Sequence, residues 1–145
     1  MEIMEGFLDK FLFPCVRLQF VGCPDLLEVH IDTGFNKELL IPESREYVLT
    51  AGLRWEGDYV NGEGEEMTYA DGTKRRADYA YATIKWFGKD RVVTAYIARR
   101  TNAERREDEK NRRSKKDIIL LGTELLADCT LEINFSERKV LIKKP

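Results

Sequence analysis

The sequence predicts a mainly β domain, a barrel or closed sandwich with two short helices. Three observations carry that prediction. Short runs of alternating apolar and polar residues recur along the chain, the period of a half-buried strand. Turn signals such as Gly22-Cys23-Pro24-Asp25, Asp71-Gly72 and Gly88-Lys89-Asp90 separate them at short intervals, as in closed or doubly layered β architectures. Only two stretches read as helix, and both are short.

Taken in order, residues 11–21 read as a strand interrupted at Pro14, which marks an edge or bulge. Residues 26–31 form the next strand, with Leu27, Val29 and Ile31 on one face and Glu28 and His30 on the other. His30 is thereby a surface or second-layer residue. A short apolar strand at 38–41 runs into Pro42, which opens a helix over 43–51 stopped by Gly52. Residues 54–65 carry Gly57, Gly62 and Gly64 and read as a loop. Asp71-Gly72 turns between strands at 66–70 and 73–86, and Gly88-Lys89-Asp90 turns into a strand at 91–98. A strand at 117–121, a short helix near 123–127 and a closing hairpin of 130–135 with 139–143 complete the chain. Tyr69, Trp86 and Phe87 read as packing residues.

Composition narrows the function. The 145 residues fit one domain, 1–145, and 43% apolar with 34% charged residues suit a water-soluble core-forming chain. A net charge of −2 exerts no global pull on nucleic acid or anionic membrane. The first residues lack a basic secretory n-region, and no apolar run is long enough for a transmembrane helix, so a cytoplasmic protein without a membrane partner is expected. Cys15, Cys23 and Cys129 are odd in number and not at metal-ligand spacings, and are read as reduced thiols. With one histidine in the chain, no metal or other cofactor is expected.

Residues 99–116 stand apart. Nine basic residues (Arg99, Arg100, Arg105, Arg106, Lys110, Arg112, Arg113, Lys115, Lys116) face four acidic ones (Glu104, Glu107, Asp108, Glu109), a net +5 with almost nothing apolar to fold onto a core. A solvated charged insertion is the favoured reading. A nucleic-acid patch is disfavoured because the charges are mixed and no aromatics are interleaved.

The chemistry concentrates at Asp32-Thr33-Gly34-Phe35-Asn36, where a carboxylate sits on a tight turn directly after an apolar strand. Leu39-Leu40-Ile41-Pro42 follows, Ala70-Asp71-Gly72 stands downstream, and Leu120-Leu121-Gly122 precedes Thr123-Glu124-Leu125-Leu126. In this order the motifs resemble the retropepsin-like (clan AA) aspartic proteases, in particular the single-domain D-T-G-F group, over about residues 11–141. The resemblance implies a retropepsin-like closed β-barrel, an aspartic endopeptidase activity and a homodimer acting on an extended peptide or protein. It implies that Asp32 is catalytic and that Thr33 and Gly34 support its turn. It further implies that Ala70, Asp71 and Gly72 tip a flap hairpin, and that Leu120, Leu121 and Gly122 brace the catalytic turn. No other aspartate is followed by Thr/Ser-Gly, so one chain holds half of a two-carboxylate site. The chain departs from retroviral members in its 31 residues before Asp32, its charged insertion and its extra strand at 139–143. The alternative reading is a catalytically weak or inactive module that keeps the fold for dimerisation or peptide binding.

Overall fold

The computed structural model describes residues 1–51, 59–60, 66–68, 72, 74–76, 78–98, 103, 106 and 118–145. Its strands in chain order are β1 (Glu2–Leu8), β2 (Pro14–Gln19), β3 (Leu26–Ile31), β4 (Leu39–Pro42), β5 (Tyr59–Val60), β6 (Glu66–Thr68), β7 (Lys74–Arg76), β8 (Asp78–Trp86), β9 (Lys89–Ala98), β10 (Ile119–Leu121), β11 (Thr130–Asn134) and β12 (Lys139–Lys144). The fold is mainly β, as the sequence predicts. Ten strands make one sheet in the order β11-β12-β1-β2-β3-β10-β4-β9-β8-β5, and β6 pairs with β7.

Alternation in the chain becomes two faces in the sheet. Along β8, Asp78, Ala80, Ala82, Ile84 and Trp86 turn inward in strict alternation. Ala80, Ala82, Ile84 and Trp86 meet Val93, Ala95 and Ile97 of β9, Val29 and Ile31 of β3, Leu39 and Ile41 of β4, and Ile119 and Leu121 of β10 in one buried cluster. Each such valine, leucine or isoleucine side chain contributes about 1.5–3 kcal/mol through burial. The sheet turns back on itself where Phe20, just past β2, bridges Ile84 of β8, with Val21 N donating to the Thr83 carbonyl at 2.9 Å. The edge of β2 opposite β3 is thus divided. Its first residues, Pro14 and Cys15, pair with β1, and the chain beyond it meets β8.

Several local expectations are corrected. The strand expected at 11–21 begins only at Pro14, because Leu12 takes a left-handed φ of 66° and the chain folds over at residues 9–13. The β8–β9 turn is the two residues Phe87-Gly88, at φ 52° and 76°, one place earlier than expected; two positive φ values match the right-handed twist of a tight hairpin. The expected helix at 43–51 divides into a 3₁₀ turn, Glu43–Arg45, and a short helix α1, Tyr47–Ala51, whose Val48 and Leu49 are buried. The second expected helix is a run of turns at 123–128. There Leu126 N donates to Thr123 O and Cys129 N to Leu126 O, three residues back, the spacing of tight turns rather than of an α-helix.

The closing hairpin forms as expected, from β11 and β12 with Leu131 opposite Ile142. An unanticipated strand, β1, zips along β12 from Glu2↔Lys144 to Phe7↔Lys139. The two terminal strands of this chain therefore pair with each other. Cys15, Cys23 and Cys129 are free thiols. Cys15 is fully buried but lies outside the main apolar cluster; burial, with the Asp9 and Glu28 carboxylates adding to it, pushes its thiol up to about 12. Most of the charged insertion at 99–116 lies outside the described residues.

Candidate active site

The Asp32-Thr33-Gly34 turn is built by the strand that precedes it and a strand from the far end of the sequence. β3 delivers Asp32 to the end of a ladder in which β10 runs parallel to β3 (Ile119↔Val29, Leu121↔Ile31) and antiparallel to β4 (Leu120↔Leu40, Leu121↔Leu39). β10 is thus wedged between the strand entering the turn and the strand leaving it. Asp32 N donates to the Leu121 carbonyl at 2.9 Å, and Gly122 N donates to the Glu38 carbonyl at 2.9 Å. Both ends of the turn are fixed to consecutive residues of one brace.

The turn is also tied through Phe35. Its carbonyl accepts from Thr123 N at 2.8 Å and from the Thr123 hydroxyl at 3.3 Å. Inside the turn, Gly34 N donates to Asp32 Oδ1 at 2.9 Å, and Phe35 N donates to the Asp32 carbonyl at 3.1 Å. A Cβ on Gly34 would stand 3.2 Å from Asp32 Oδ1, so a larger residue would crowd the carboxylate. Asp32 is half-buried, while Thr33 and Gly34 are exposed. One carboxylate oxygen is therefore oriented by a backbone amide, on a turn whose neighbouring Thr33 is exposed.

The reason for glycine at 122 is steric. A Cβ there would collide with the carbonyl oxygens of Lys37 and Phe35 and lie 2.6 Å from the Phe35 ring. The sequence places Leu120, Leu121 and Gly122 beside the turn, and the geometry does bring them together with it.

Residues that sequence reasoning missed complete the support. Glu38 Oε1 accepts from Thr94 N at 2.9 Å, and Glu38 Oε2 lies 3.6 Å from Arg91, linking the exit of the turn to β9. On the sheet face opposite the main core, Phe35, Leu40 and Tyr79 pack on Tyr96, with the Lys37 ammonium 5.8 Å above the Tyr96 ring. The period-two alternation of β4, β8 and β9 could have assigned Leu40, Tyr79 and Tyr96 to that face; Glu38 left no comparable signal.

At the position of the expected flap, β6 and β7 pair antiparallel with Thr68 opposite Lys74. Gly72 is exposed with φ 84°, a conformation suited to glycine in a tight connection. Ala70, Asp71 and Tyr69 lie outside the described residues. Trp86 is buried in the core and Phe87 packs against it, consistent with packing roles. His30 is a half-buried second-layer residue, stacked on Phe13 with ring centroids 5.5 Å apart. A cleft of about 800 Å³ lined by Phe7, Phe11, Leu27, His30 and Ile119, among others, does not include Asp32. Asp32 instead lies on a turn at the surface of the single chain.

No protein-family model and no curated protein sequence matches this chain. Among solved structures, the chain is similar to the EIAV protease complexed with the inhibitor HBY-793, at a TM-score of 0.51 and 17% identity. The match covers 83% of this chain and 90% of that one. At that identity the likeness bears on the fold, which is retropepsin-like.

Proposed function

We propose that this chain is one subunit of a dimeric aspartic endopeptidase in which each copy contributes Asp32. The observation that carries this reading is the Asp32 turn, held at both ends by Leu121 and Gly122 with its carboxylate oriented by Gly34 N, in a fold similar to a retroviral protease.

In a two-fold dimer the two turns would face each other, which is the symmetry a two-carboxylate site needs. Two carboxylates a few ångströms apart share one proton and titrate as a unit. The ionised member takes a proton from a water molecule while the protonated member donates a hydrogen bond to the scissile carbonyl. Water then adds to the carbonyl carbon, and the tetrahedral intermediate collapses as the amine leaves with a proton. Thr33, exposed next to Asp32, is suited to hydrogen-bond across the two-fold axis. The substrate would lie extended across both turns and bind through its backbone as an added strand, with the β6–β7 hairpin as flap.

The test is exposure of the dimeric protein to an unbiased peptide library over roughly pH 3.5 to 7, the range in which a shared-proton pair passes through its active form. Mass spectrometry should show cleavage with a maximum inside that window, falling on both sides. A dimeric sample that bound peptides yet cleaved none at any pH would replace the enzyme reading with a dimerisation or peptide-binding module. Binding of nucleic acid that weakened steeply with salt and survived loss of Asp32 would direct attention to the insertion instead.

A further inference from the structure

A second group of reactive side chains lies on the opposite flank of β3. Asp9, Cys15, Glu28 and His30 place one ligand atom each within 4.8 Å of all the others. They come from three places: the turn after β1, the start of β2 and alternate positions of β3. The ladder explains the convergence, because Cys15 is directly opposite His30 in the β2–β3 register and Glu28 is two residues before His30, on the same strand face.

The group has the preparation expected of a binding site. Asp9 Oδ1 accepts from Phe11 N at 2.8 Å and from Phe13 N at 3.0 Å, which fixes the carboxylate and leaves Oδ2 3.4 Å from His30 Nε2. Phe13 stacks on the His30 ring and holds its plane. Cys15 is fully buried outside the main core, and its thiol donates to the Phe13 carbonyl at 3.3 Å. Asp9, Glu28 and His30 line the cleft of about 800 Å³, so an ion has a route in. A nitrogen, a sulfur and two oxygens are a donor set suited to zinc, which would take the place of the Cys15 thiol proton. Tetrahedral zinc at bond lengths of 2.0–2.3 Å separates its ligand atoms by ~3.4 Å, close to the His30–Asp9 distance already present.

We propose that Asp9, Cys15, Glu28 and His30 form a tetrahedral site for a zinc-class divalent cation, clipping the turn after β1 to the strand that carries Asp32. The ligand role is independent of the proteolytic reading, since none of the four residues belongs to the Asp32 turn.

The experiment titrates chelator-stripped full-length protein with cobalt(II) and then zinc. One equivalent of cobalt should produce a thiolate-to-metal absorption band in the near ultraviolet together with tetrahedral d–d bands, and zinc should displace it. Cys15→Ser should abolish the near-ultraviolet band. His30→Gln and Glu28→Gln, whose side chains are not part of the packed core, should each weaken zinc binding by at least ~100-fold, beyond the cost of losing an outer-shell contact. If Cys15→Ser fails to fold, the latter two variants decide, with folding checked by circular dichroism. The proposal is overturned if the wild type gives no thiolate band, or if folded His30→Gln and Glu28→Gln bind zinc as the wild type does.

Discussion

Asp32→Asn is expected to abolish peptide hydrolysis while leaving the fold and the dimer intact. The change is isosteric, and Gly34 N can still donate to the side-chain oxygen it now meets at 2.9 Å, so the turn keeps its internal bond. What disappears is the ability of either subunit to accept or hold a proton. General acid–base groups contribute ~10²–10⁴-fold each, and a homodimer of the variant loses both at once. The drop in kcat/KM should therefore reach at least ~10⁴-fold, with circular dichroism and sedimentation unchanged. Residual cleavage near wild-type level would mean that another group carries the reaction. Loss of the dimer along with activity would mean that Asp32 is chiefly an interface residue.

The second large effect concerns stability. Gly122→Ala places a methyl group against two backbone carbonyls and the Phe35 ring, in a segment where Gly122 N is bonded to Glu38 and Thr123 to Phe35. Overpacking of this kind costs about 1–3 kcal/mol and more where backbone must move. Here the obstructing atoms are mainly backbone, so about 3 kcal/mol is expected, equivalent to a fall in Tm of roughly 10 °C for a chain of this size. The same displacement should loosen the Asp32 turn and lower kcat. Thermal melts of the two proteins check it directly, and an unchanged Tm would contradict the steric account of the brace.

How far the sequence announced this architecture varies by element. β3 was legible to the residue, because Val29 and Ile31 alternate with Glu28 and His30 and the strand stops at the Asp-Thr-Gly turn. The β11–β12 hairpin was legible for the same reason. β1 was not, since its exposed and half-buried residues follow no clean alternation before Leu8, and its partner lies at the other end of the chain. The helix expected near 123–127 gives way to a tether: Thr123 is bound to Phe35 and Leu125 and Leu126 are buried, and tertiary contacts override local preference over so few residues.

The site shows the same division. The Asp32 turn and its brace were found as motifs, yet their contact is a matter of topology, with β10 inserted between β3 and β4 across 88 residues of sequence from Phe35 to Thr123. Spacing alone contains no sign of that insertion. Nor did spacing reveal the Asp9, Cys15, Glu28 and His30 group: neighbouring ligands in local motifs advertise a metal, whereas these meet only after β2 and β3 pair.

The central claim, that each active site takes one Asp32 from each of two subunits, is tested most directly by mixing wild type with Asp32→Asn protein and allowing subunits to exchange before assay. If only dimers with two intact aspartates are active, the rate at constant total protein falls with the square of the wild-type fraction, to about one quarter in an equal mixture. A rate that falls linearly, to about one half, would mean that a single subunit holds a complete active site and would contradict the account.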